Sequence, residues 1–147
     1  MRTWILLIVL AIIAAGATAH EGATGIAAER MSLMESMSKE TKAIAAILKR
    51  RGPPTEILPR AERLRELSRH IEHLFPPGSG TGVTAASPAI WQQWSEFEGL
   101  ARTLGARADT LAAAAAGAAA GKVADRFADV SDVCAKCHKA FRVRRLQ

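Results

Sequence analysis

The run Cys134-Ala135-Lys136-Cys137-His138 brings two thiols and an imidazole together near the end of a 147-residue chain. Two thiols at this spacing can add to the two vinyl groups of a porphyrin and form thioethers. The imidazole beside them can then ligate iron through a ring nitrogen. C-x-x-C-H is thus the attachment pattern of a covalently bound c-type haem. Residues three and four apart share one face of a helix, so Cys134, Cys137 and His138 project together if the segment is helical. Two other readings use the same thiols. A structural zinc site needs four ligands; with no second cysteine pair, it would draw on His20, His70, His73 or a carboxylate. A redox dithiol would want a strand–helix–strand setting, and no segment shows a convincing strand pattern.

The elements that must position these groups are helical. Apolar residues at Leu33, Met37, Ile44 and Leu48 predict a first helix from about Gly25 to Lys49, stopped by Gly52-Pro53-Pro54. Ile57, Leu64, Leu67, Ile71 and Leu74 predict a second, from about Ile57 to Leu74, ended by Phe75-Pro76-Pro77-Gly78. A loop rich in Gly, Ser and Thr follows, from Gly78 to Ala86. Ser87 is placed to cap a third helix, with Pro88 at its first position. Ile90, Trp94, Phe97, Ala101, Leu104, Ala108 and Leu111 then recur at alternating steps of four and three. The run from Ala112 to Gly121 is alanine and glycine only, and the turn is expected near Gly117. Val123, Phe127, Val130, Cys134, Cys137 and Phe141 mark a fourth helix running to about Arg145, with both cysteines on its core-facing seam. Four amphipathic helices of shared period predict an all-α, antiparallel, up-down-up-down four-helix bundle.

The start of the chain reads as an export leader. Met1-Arg2-Thr3 carries a charge, Trp4 to Gly16 is apolar, and Ala17-Thr18-Ala19 is an A-x-A cleavage site. Residues 1–19 are therefore expected to be a signal peptide and 20–147 the mature domain, in the periplasm. The apolar run falls short of the ~20 residues that span a bilayer, so no stable membrane insertion is expected after cleavage. The formal net charge is +6, and loss of Arg2 with the leader leaves +5. For an exported chain this excludes nucleic acid and leaves an acidic partner or a solvated helix end to explain Lys136, Lys139, Arg142, Arg144 and Arg145. No nucleophile–base–acid constellation occurs, and Gly78, Gly80 and Gly82 are not followed by the lysine of a phosphate loop. An enzyme is not expected.

Three stretches together resemble the cytochrome c' family, including its low-spin c-556 branch. They are Val130-x-x-x-Cys134-x-x-Cys137-His138-x-x-Phe141-Arg142, Arg30-x-x-x-Met34, and Ser87-Pro88-x-Ile90-Trp91 after Leu74-Phe75-Pro76. The resemblance covers essentially the whole mature chain. It implies one covalent haem c tethered by Cys134 and Cys137, with His138 as proximal iron ligand and Met34 on the distal side. It also implies Arg30 near a haem propionate and Arg142 near the proximal imidazole. Trp91, Trp94 and Phe97 are expected to fill core, with Trp91 also touching the haem edge. Members are often homodimers through their first two helices. Many carry Tyr where Phe141 stands here.

Met34 decides the expected function. If its thioether binds iron, the site is six-coordinate and low-spin, suited to outer-sphere electron transfer. If it only packs over the haem, the iron is five-coordinate and open to nitric oxide or carbon monoxide. Met31, Met34 and Met37 recur every three residues, which is also a core-packing pattern. The expectation taken forward is single-electron transfer through a His138/Met34-ligated haem to a redox partner protein. The alternatives are the five-coordinate gas binder and, behind it, a haem-free zinc or dithiol module.

Overall fold

The computed structural model describes residues 23–117 and 120–143. The expected leader, residues 1–19, lies outside the described residues, as do His20, Arg144 and Arg145. Helix α1 spans Gly25–Lys49, α2 Leu58–Ser68, α3 Ala89–Gln92, α4 Trp94–Ala116 and α5 Ala120–Phe141. Together they form a four-helix bundle in which α3 and α4 make up the third arm. Helix α4 packs along both α2 and α5, and α1 packs along α2. By contrast, α1 and α5 touch only sparsely.

The seams read from the sequence are the buried ones. Leu33, Met37, Ile44, Ile57, Leu64, Leu67, Ile71, Ile90, Phe97, Leu104, Leu111, Val123, Val130 and Phe141 are all buried in one core. Each such side chain contributes on the order of 1.5–3 kcal/mol by leaving water. Small residues join them: Ala61, Ala101, Ala108, Ala112 and Ala115 are buried where α4 meets its neighbours.

The arms end for local reasons. After α1, the Arg51 amide donates to the Leu48 carbonyl (3.0 Å) and the Gly52 amide to the Ile47 carbonyl (2.9 Å). This is a Schellman closure with Arg51 in the left-handed region at φ 54°. A non-glycine residue there is strained, so Arg51→Gly is expected to stabilise the fold by about 0.5–1 kcal/mol in denaturant unfolding. A loss of stability would show that the Arg51 side chain matters more than its backbone.

The second arm departs from one continuous helix to Leu74. Helix α2 stops at Ser68, and a 3-10 turn from Glu72 to Leu74 completes the arm. Ser68 Oγ donates back to the Arg65 carbonyl (2.7 Å). The following amides take i−3 partners, among them His70 to Leu67 (3.1 Å). A serine bonding back to its own helix competes with the regular ladder and tightens it. Ser68 also faces α4 closely: a Cβ on Gly105 would stand 2.9 Å from its hydroxyl.

The third arm starts as expected, with Ser87 Oγ accepting from the Ala89 amide (3.2 Å). It then breaks at Gln93 (φ −124°, ψ 45°) before α4 begins. Helix α4 ends at Ala116 with Gly117 as its cap, where the turn was expected. The last helix stops at Phe141, short of Arg145, because its end is captured by the loop before α3. The Ser87 amide donates to the Phe141 carbonyl and the Val143 amide to the Ala85 carbonyl, both at 2.9 Å. These bonds frame an isolated antiparallel bridge between Ala86 and Arg142.

Candidate haem site

Helix α5 carries the tethering groups. Cys134 and Cys137 are half-buried free thiols that pack against the edge of the core. Burial raises the Cys134 thiol above its ordinary pKa, partly offset by a backbone hydrogen bond. Burial, and secondarily Cys134, pushes Cys137 up to about 11. Both thiols are therefore protonated near neutral pH and slow to oxidise to a disulfide. His138 is more exposed. Its pKa is lowered, first by partial loss of hydration and then by the Arg142 guanidinium. That favours the neutral imidazole, the form that binds metal. Arg142 itself is exposed, and its amide donates to the His138 carbonyl (3.2 Å). Phe141 is buried and meets Phe97 edge-on (5.5 Å between centroids, 89°). That aromatic setting explains why this position needs no hydroxyl.

Helix α1 supplies the opposite side. Met34 is half-buried against the core, one turn after Arg30. Arg30 is 4% exposed and is the only charged side chain so buried among the described residues. Burial lowers its pKa from the guanidinium value, yet an arginine stays charged. Among the described residues its hydrogen-bond partners are oxygens of Leu74 and Ser79, and none is a carboxylate. The ring of Trp91 stacks 5.6 Å from its Cζ, and that indole is part-buried.

These residues fit a haem. Two half-buried thiols and an imidazole favoured in its neutral form share one helix, across a sparse α1–α5 contact from a buried cation that has no acidic partner among the described residues. A zinc site fits poorly: among the described residues no group of three or more His, Cys, Asp or Glu could hold a metal ion. His70 and His73 are exposed, and His70 lies 3.5 Å from Glu66. Sequence reasoning missed Ser79 and the Leu74 carbonyl, which bond Arg30, and Gly80, which lies against the Trp91 ring. Only the Leu74-Phe75-Pro76 segment hinted at them.

A bundle that presents C-x-x-C-H on its last helix defines the class of helical, covalently haem-bearing proteins. Residues 26–142 match the model of the family described as Cytochrome C'. The chain belongs to the cytochrome c' family, and its cofactor is a covalently attached haem c. It is 31% identical over 119 residues to cytochrome c-556 of Agrobacterium tumefaciens, covering 80% of this chain and 96% of that one. It is also 31% identical over 128 residues to cytochrome c' of Rhodopseudomonas palustris, covering 83% and 84%. The solved cytochrome c' of Thermochromatium tepidum superposes with a TM-score of 0.76 at 29% identity, covering 81% of this chain and 95% of that one.

These findings correct the expected function. A further structural neighbour, cytochrome c' of Alcaligenes xylosoxidans in a leucine-to-isoleucine variant, is 26% identical, has a TM-score of 0.73, covers 81% and 94% of the two chains, and was solved as its nitric oxide complex. The fold thus aligns with gas-binding cytochromes c', and the reading of Met34 as an iron ligand in a His/Met electron carrier is withdrawn. The physical reason lies in the sequence pattern itself. A methionine on a helical seam is a flexible core-filler, and Met34 packs against the core in that way. Another neighbour, 25% identical with a TM-score of 0.75, is described as having ligand-controlled dimer dissociation; dimers therefore occur among proteins of this fold. Among the described residues, no helix is long and apolar enough to cross a membrane.

Proposed function

We propose that this chain is a five-coordinate cytochrome c'-like protein that binds nitric oxide or carbon monoxide. Cys134 and Cys137 hold the haem through thioethers, and His138 is the proximal ligand. Bound there, the haem would supply an iron centre able to take a small diatomic ligand. Met34, half-buried on α1, would face the haem without a bond to iron and limit the space for such a ligand. Arg30 answers the charge of a propionate, since a guanidinium matches a carboxylate. Arg142 keeps the proximal imidazole from gaining a proton, and Trp91 covers the haem edge. The observation that carries this reading is the fold-level match to a cytochrome c' solved with nitric oxide bound.

The protein works as a binder, not as an enzyme, in the periplasm after removal of residues 1–19. The exposed cations Lys136, Lys139 and Arg142 at the end of α5 suit an acidic protein partner that delivers the reducing electron. Lys136 is already paired with Asp132 (2.7 Å). A homodimer through α1 and α2 is proposed by analogy with the dimeric neighbour.

Carbon monoxide titration of the reduced holoprotein tests the function. A high-spin ferrous spectrum is expected that converts saturably, with one gas per haem. Met34→Ala is expected to speed association about tenfold, the equivalent of about 1.4 kcal/mol less barrier. A low-spin ferrous spectrum indifferent to carbon monoxide would sink the proposal.

A further inference from the structure

Arg30 is held by a single loop. Its Nε donates to the Leu74 carbonyl and its Nη2 to Ser79 Oγ. Its Nη1 donates to the Ser79 carbonyl at 2.8 Å. The Ser79 hydroxyl has one proton, and that proton goes to the Pro76 carbonyl (2.6 Å). Its lone pairs are therefore turned toward Arg30. Two aromatic rings also stand close to the guanidinium, with Cζ 4.5 Å from the centre of the Phe75 ring and 5.6 Å from that of Trp91.

Trp91 is itself fixed. Its indole N–H is shared between the Phe75 carbonyl (3.1 Å) and the Pro76 carbonyl (3.0 Å). Gly80 lies directly against that ring: a Cβ there would stand 2.6 Å from the Trp91 Cζ3 atom. Real Cβ contacts are not that short, and the anchored indole has little room to retreat. Glycine at 80 serves close approach, because its φ is not in the left-handed region.

We infer that Ser79 and Gly80 are positioning residues for Arg30, fixing a buried cation before any acid reaches it. The inference deepens the proposed function, since it rests on Arg30 serving a haem propionate. An arginine has five N–H donors, and the loop takes three of them. Two remain for an acidic group. An unrestrained arginine would lose much of its rotamer freedom on meeting that group; here the freedom is already gone.

The test follows the guanidinium directly. The carbon-monoxide-bound ferrous holoprotein is diamagnetic, so nitrogen-15 NMR can follow solvent exchange of the Arg30 Nε proton. Removing a hydrogen bond to the cation in Ser79→Ala is expected to speed exchange about tenfold. Gly80→Ala, which displaces Trp91, is expected to do the same. Ser79→Thr keeps the hydroxyl and is expected to stay within about twofold of the parent. Wild-type exchange in both alanine variants, with helicity unchanged by circular dichroism, overturns the inference. Equal acceleration in Ser79→Thr also overturns it, because packing alone would then be at work. A separate arm compares the infrared carboxylate band of isotope-labelled propionates in the parent and in Arg30→Met. An unmoved band there removes the propionate reading and leaves the exchange result to judge Ser79 and Gly80 by itself.

Discussion

A Cys134→Ser, Cys137→Ser double variant, made in a host competent for cytochrome assembly, is expected to carry no covalent porphyrin. Hydroxyls do not form the thioethers that the two sulfurs form, so mass spectrometry of the mature chain should lose the whole haem increment. Each single variant retains one sulfur and is expected to keep a fraction of its haem through one thioether. Acid–organic extraction separates the cases, since it strips only haem that is not covalently bound. Persistence of the full porphyrin mass in the double variant would mean that some other residue is the tether. The burial of both thiols adds a corollary. Their raised pKa values keep them protonated at neutral pH, so the haem-free chain should react slowly with alkylating reagents there.

The second large effect lies in the aromatic cluster behind the site. Phe97 is 2% exposed. Its ring centre is 4.8 Å from that of Phe75, 5.5 Å from Trp94 and 5.5 Å from Phe141. It therefore joins α4 both to the loop that holds Arg30 and to the end of α5. Phe97→Ala removes these contacts and leaves a cavity that the surrounding rings fill only in part. The expected cost is about 3–5 kcal/mol in denaturant unfolding of the holoprotein. Val83→Ala, at a position 40% exposed, should cost less than about 0.5 kcal/mol. A Phe97 variant as stable as the Val83 variant would show that the cluster does not hold the bundle together.

Much of this arrangement was legible in the chain. Alternating steps of four and three located the buried residues because a helix returns to the same face at those intervals. The same rule put Cys134 and Cys137 on the seam of α5, where they lie. Ser87 announced a helix start because its hydroxyl can satisfy an otherwise unpaired amide. What stayed hidden depends on contacts distant in sequence. At the early end of α2, Ser68 bonds back to the Arg65 carbonyl and also meets α4 at Gly105, a contact that no local pattern encodes. The break at Gln93 interrupts a seam that continues across it, so periodicity passed over it. The resemblance placed Arg30 near a propionate, but its burial depends on residues 44 to 49 positions further on. Met34 was misread for a different reason: a thioether suits both packing and iron, and spacing alone does not separate them.

The bridge between Ala86 and Arg142 ties the helix that carries the haem-attachment run to the loop before α3. Its two sides are far apart along the polypeptide, so the ring they close is large and its closure entropy must be met late. The haem-tethering residues and this latch lie within ten residues of each other on α5 and just past it, so a change that frays the end of that helix is expected to disturb both together.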